Sequence, residues 1–105
     1  MALNIMIKFD EINNHWSVEP EGEIDIYTSP ELKEKLSKAL DDKMADIVID
    51  GEKLDYIDST GLGTLIGILK IIKENKNKIY IRNIKPNIRK LFDITELDKV
   101  FVIEE

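Results

Sequence analysis

Between two stretches of helical periodicity the chain carries Ile47-Val48-Ile49, an apolar run with no alternation. A strand with one wet face alternates apolar and polar residues. An unbroken run instead suits a central strand of a parallel sheet, covered on at least one face by crossover helices. The flanking sequence supplies those helices. Upstream, Leu32, Leu36, Ala39 and Leu40 fall at i, i+4, i+7 and i+8, one buried stripe opposite Lys33, Glu34, Lys35 and Lys38. This helix starts in Tyr27-Thr28-Ser29-Pro30-Glu31. Ser29 is placed to cap it, Pro30 suits its first position, and Glu31 complements its dipole. Asp41-Asp42 ends it.

Downstream, Ser59 to about Glu74 forms a second helix. Leu62, Leu65, Ile66, Leu69, Ile72 and Lys73 share a side, and Ile68 and Ile71 widen the stripe past half the circumference. Gly61, Gly63 and Gly67 each cost such a helix on the order of 1 kcal/mol against Ala. Gly63 and Gly67 lie one turn apart, on a face expected to approach the sheet or a partner closely. The intervening Gly51 to Ile57 reads as a loop with Leu54 and Ile57 turned inward.

The ends of the chain complete the pattern. Leu3, Ile5, Ile7 and Phe9 alternate with polar neighbours, Asn13-Asn14 signals a turn, and Trp16 and Val18 alternate again, which predicts a hairpin. Pro20 and Gly22 mark an interruption of its second strand, at a bulge or an edge, and Glu23-Ile24-Asp25-Ile26 resumes it. Ile79-Tyr80-Ile81 is a further core strand. Pro86 opens a short helix that buries Ile88, Leu91 and Phe92, Thr95 and Asp98 mark turns, and Val100 to Ile103 is a terminal strand or an extended edge segment. The expected fold is α/β: one domain spanning 1–105, with a mixed sheet of four to five strands, an N-terminal hairpin and three or four helices.

Composition narrows the function classes. A length of 105 residues supports one domain. No apolar run approaches the roughly 20 residues of a membrane span, and the alternating N-terminus is not the pattern of a signal peptide. The chain has no cysteine, which removes disulfides, thiolate catalysis and Cys-based zinc sites and suits a reducing cytoplasm. With 15 basic and 21 acidic residues the formal charge is −6, which argues against a phosphate-backbone partner.

Four chemistries have residues in this chain that could suggest them. A nucleophilic serine needs a base in reach, but the only histidine, His15, lies on the early hairpin, and no G-x-S-x-G elbow exists. No Walker loop is present. Asp50, Glu52, Asp55 and Asp58 do not have the spacing of a calcium loop and read as a solvated segment. Asp10-Glu11, Asp50 and Lys85-Pro86 imitate a phospho-aspartate receiver. However, too few residues separate Asp50 from Lys85 for the strand–helix units a receiver needs. No cofactor or metal is expected. What remains is Asp58-Ser59-Thr60-Gly61-Leu62-Gly63, a hydroxyl pair at a helix start. There the unpaired amides and the dipole favour an anion such as a phosphate on Ser59.

This segment and Asp25-Ile26-Tyr27-Thr28-Ser29-Pro30 together resemble the bacterial anti-sigma factor antagonists of the STAS domain family, with no departure at the motif positions. The resemblance spans the chain and implies a non-enzymatic, cytoplasmic, partner-switching regulator of transcription. It makes Ser59 the phosphoacceptor of an anti-sigma factor that is itself a serine kinase. The unphosphorylated form binds that factor and frees the sigma factor, and a metal-dependent phosphatase restores it. Asp25, Tyr27, Thr28, Ser29, Asp58, Thr60, Gly61 and Leu62 are the expected partner-binding residues, and the protein is expected to be a monomer or weak dimer. The alternative within the family is a scaffold, or a regulatory subunit beside a transporter, without kinase switching.

Overall fold

The structure, a computed structural model, describes residues 3–104. Met1, Ala2 and Glu105, which the one-domain and signal-peptide readings include, lie outside them. The early alternation becomes a hairpin: β1 (Leu3–Asp10) and β2 (His15–Ile24) pair antiparallel without a break from Leu3↔Gly22 to Asp10↔His15. At its tip the Asp10 carboxylate accepts from the amides of Ile12 and Asn13 at 3.0 Å and from Asn13 Nδ2 at 2.8 Å. The Asn13 side chain contributes most to holding the Asp10 carboxyl below the usual carboxylate range.

β2 runs on through Pro20 and Gly22; its second edge changes partner there, and the expected bulge falls after Gly22, where the register with the second partner shifts. His15 to Val18 pair in parallel with β3 (Asp46–Asp50), and Gly22 to Ile24 pair in parallel with β4 (Leu54–Ile57). Pro20 sits between the two partners, where a missing N–H removes no ladder bond. β4 lies within the segment expected to be loop. Its Leu54 and Ile57 are buried as expected, but Asp55 and Tyr56 between them are both exposed. The register shift between Gly22 and Glu23 breaks the period of two by which a strand is recognised.

The remaining strands, β5 (Ile79–Arg82) and β6 (Val102–Glu104), extend the sheet in parallel, giving the order β1-β2-β3-β5-β6 with β4 on β2. The sheet is therefore mixed, as the pattern implied, and has six strands among the described residues. The helices are α1 (Ser29–Asp42), α2 (Ser59–Lys73) and α3 (Pro86–Ile94), followed by a single 3₁₀ turn at Leu97–Lys99.

The core lies between helices and sheet. Leu32 and Leu36 of α1, Leu65, Ile68 and Ile72 of α2, and Phe92 of α3 meet Val18, Ile24, Ile47, Ile49, Ile79 and Ile81 of the strands. Each fully buried side chain of this size stabilises by about 1.5–3 kcal/mol relative to exposure. Phe92 also meets Phe101 edge to face at 5.6 Å. The buried stripe of α2 is narrower than expected, because Ile66 is half-buried and Ile71 is 45% exposed. Leu91 is likewise half-buried. Among the described residues no helix is long and apolar enough to cross a membrane.

Candidate functional site

Ile24 ends β2 and Ile57 ends β4, and the two are register partners in a parallel pair. Both chains therefore leave the sheet at the same end. The amide of Asp58 donates to the carbonyl of Ile24 at 3.1 Å, extending the ladder one residue into the turn before α2. The Asp25 loop and the start of α2 are thus neighbours because β2 and β4 pair, not through β3.

Gly61 makes this junction possible. A Cβ there would lie 2.7 Å from Ile24 Cγ2, 2.7 Å from Ile57 Cγ1 and 2.9 Å from the Ile24 carbonyl. No side chain fits, so glycine lets the helix start rest on the two strand ends. Gly63 and Gly67 behave in the opposite way: a Cβ at either would have nothing within 4 Å. The close approach to the sheet expected of them belongs to Gly61 instead. Gly63 and Gly67, with Thr60, Thr64, Ile71 and Lys33 of α1, line an open groove of about 490 Å³. Sequence periodicity does not reveal this groove, since it depends on how far α1 stands from α2.

Asp58 is the N-cap of α2. Its Oδ1 accepts from the Gly61 amide at 2.9 Å, and its carbonyl takes the first helical bond, from Leu62, at 2.9 Å. Ser59 and Thr60, the first two helical residues, are exposed. Their amides, and the Ser59 hydroxyl, find no hydrogen-bond partner among the described residues. An exposed hydroxyl and two unpaired N–H donors therefore share the first turn, at the positive end of a 15-residue helix.

The neighbouring loop is closed by Asp25. Its Oδ1 accepts from the amides of Tyr27 (2.9 Å) and Thr28 (3.0 Å) and lies 3.3 Å from Thr28 Oγ1. The Thr28 hydroxyl accepts from the Asp25 amide at 2.9 Å and donates to the Glu23 carbonyl at 2.8 Å. Ser29, expected to cap α1, is instead buried inside its first turn. Its hydroxyl donates to the Asp25 carbonyl at 2.6 Å, its amide donates to the same oxygen at 2.8 Å, and Thr28 takes the N-cap position without a side-chain cap bond. Desolvation pushes the Asp25 carboxyl up, but the bonds from Thr28 and Tyr27 outweigh it and hold the group below the usual range. Bracing of this kind leaves Ile26 61% and Tyr27 87% exposed beside the start of α2.

Of the residues expected to form a contact surface, Asp25, Tyr27, Thr28, Asp58, Ser59 and Thr60 are at least partly accessible, whereas Ser29, Gly61 and Leu62 are buried beneath them. The acidic residues upstream disperse. Asp55 pairs with Lys85, and Asp50 accepts from the Glu52 amide and from Asn83 Nδ2. His15 sits at the far end of β2, beside Asp10 at 3.8 Å, and so offers Ser59 no base.

The sequence profile of the STAS domain matches residues 6–105. The anti-sigma-B factor antagonist of Staphylococcus aureus (strain NCTC 8325 / PS 47) is 36% identical over 103 residues, covering 98% of this chain and 95% of the relative. The crystal structure of an anti-sigma factor antagonist from Mycobacterium paratuberculosis superposes with a TM-score of 0.82 at 25% identity, covering 97% of this chain and 85% of that one. The Bacillus cell fate determinant SpoIIAA in its phosphorylated form shares the fold, with a TM-score of 0.75 at 19% identity over 97% of this chain and 92% of that one. By sequence and by fold the chain belongs to the STAS domain family, among its anti-sigma factor antagonists.

Proposed function

We propose that this chain is a phosphorylation-controlled binding module. Unphosphorylated, it binds a cytoplasmic anti-sigma factor that is also a serine kinase, and so frees a sigma factor. Phosphorylation of Ser59 ends the binding, and a metal-dependent phosphatase restores it. The chain is bound and modified; it does not catalyse.

The observation that carries this reading is the exposed Ser59 hydroxyl at the first position of α2, beside the braced Asp25–Tyr27 loop. A phosphate there adds about −1.5 to −2 charge. The unpaired amides of Ser59 and Thr60 and the helix dipole stabilise that charge within the protein. A partner surface fitted to a neutral hydroxyl meets it as a bulky, hydrated anion next to the Asp58 carboxylate. Association is lost and the fold is kept. Asp25, Tyr27, Thr28, Asp58 and Thr60 supply the contact surface. Ser29, Gly61 and Leu62 support it from below.

The reading is tested by pull-down with Ser59→Ala as bait, followed by incubation of wild-type protein with the captured ATPase. Phosphopeptide mass spectrometry then places acid-stable phosphate on Ser59. Phosphate on another residue, or an acid-labile acyl phosphate, contradicts it.

A further inference from the structure

Among the described residues β1 is the edge of the sheet: β2 lies on one side of it and no strand lies on the other. Natural edges are kept from pairing by brevity, proline, bulges, charged side chains (lysine above all) or a covering helix or loop. β1 has eight residues, no proline and an unbroken register with β2, and between Leu3 and Phe9 its one charge is Lys8.

The direction of its free backbone groups follows from β2. The Gly22 amide donates to the Lys53 carbonyl on the β4 side, so Gly22 turns away from β1. Alternation gives Pro20, Val18 and Trp16 the same orientation, and their opposites Leu3, Ile5, Ile7 and Phe9 form non-hydrogen-bonded pairs with them. The N–H and C=O groups of these four residues therefore point to the open edge. Beside them an open cavity of about 410 Å³ has Ile5, Ile7 and Trp16 on its sheet side and Lys35 and Lys38 of α1 at its rim.

We infer that β1 pairs antiparallel with β1 of a second copy, about a two-fold axis at Met6. In this register Ile5 faces Ile7 of the second copy and Leu3 faces Phe9, so bulky apolar side chains meet on the core side. On the other face Met6 meets its own copy and Lys8 meets Asn4, so no like charges oppose within the strand pair. Centring the axis on Lys8 would set two lysines opposite each other. A closed two-fold pair also removes both exposed edges at once, which an unrelated strand would not do. Seven residues a side fall well short of the roughly 20–30 of a standard interface, so the dimer is weak and forms over about 10 µM to 1 mM.

The test is sedimentation velocity of the full chain across that range, beside Met6→Lys, which faces away from the core, is 61% exposed in wild type, and would set two ammonium groups opposite each other. The weight-average sedimentation coefficient of wild type should rise with concentration, while Met6→Lys stays monomeric with an unchanged circular dichroism spectrum. Because the chain has no cysteine, Met6→Cys adds a second readout. Non-hydrogen-bonded antiparallel partners have Cα atoms about 4.5 Å apart, within disulfide range. Met6→Cys should therefore oxidise to a covalent dimer at least tenfold faster than Ile12→Cys, whose position at the hairpin tip is 95% exposed. Wild type that stays monomeric at 1 mM, Met6→Lys that self-associates like wild type, or equal oxidation rates for the two cysteine variants would each overturn the inference.

Discussion

Gly61 rests on Ile24 so closely that an added Cβ would stand 2.9 Å from the Ile24 carbonyl oxygen, a backbone atom that cannot turn aside. Gly61→Ala should therefore push the start of α2 off the ends of β2 and β4 and destabilise by about 1–3 kcal/mol, the usual cost of overpacking. Gly63→Ala and Gly67→Ala meet open space and should each stabilise, by up to about 1 kcal/mol, through helix propensity alone. Urea unfolding midpoints of the three variants check both signs. A neutral Gly61→Ala would mean that the helix start is not seated as described.

Asp58 caps α2 through the bond from the Gly61 amide. Asp58→Ala should lose about 1 kcal/mol, and Asp58→Asn, which keeps an acceptor oxygen, only a few tenths. The same pair separates capping from charge at the partner surface. If Asp58 matters to the partner through its cap, Asp58→Asn binds like wild type while Asp58→Ala binds less well. Affinities measured beside the unfolding curves make the comparison.

The Asp25 carboxyl is held below the usual range by the donors of its own loop. A lowered folded value means that the group contributes stability above the ordinary carboxylate range, and that this is lost as pH falls through the folded value. Wild type should therefore lose stability below about pH 4 more steeply than Asp25→Asn, and the two should run parallel near neutrality. Thermal midpoints between pH 2.5 and 7 show this, and a steeper acid loss in Asp25→Asn would contradict the sign.

Much of the fold was legible because its elements obey simple periods. Alternation gave the hairpin, the i, i+4 stripe gave α1, and the unbroken Ile47-Val48-Ile49 run marked the central strand. β4 was not legible: Leu54 and Ile57 point inward with two exposed residues between them, a spacing of three that suits a helix face and breaks a strand's period of two. Its absence from the sequence reading also hid why the two site segments meet, since they meet through the Ile24–Ile57 pair. The caps were half legible. Asp58 sits three residues before the amide it binds, a local relation, whereas Ser29 looked like a cap and is tied down by the Asp25 carbonyl. Three glycines in one helix could be counted from sequence, but only packing tells Gly61, which touches the sheet, from Gly63 and Gly67, which face a groove.

A phosphate on Ser59 should leave the domain folded and slightly more stable. An anion in the first turn of a helix contributes about 0.3–1 kcal/mol, so the melting temperature of the phosphoprotein should equal or exceed that of the unmodified form. A fall of several degrees would mean that the phosphate acts by unfolding the site rather than by blocking it.

The most direct measurement is isothermal titration of the purified anti-sigma factor with unmodified, Ser59-phosphorylated and Ser59→Ala protein. Ser59→Ala should bind as tightly as the unmodified form, because the hydroxyl is exposed and makes no bond that the fold depends on. The phosphorylated form should bind at least about 100-fold more weakly, equivalent to about 2.7 kcal/mol of lost association. Equal affinity of the phosphorylated and unmodified proteins would contradict the switch.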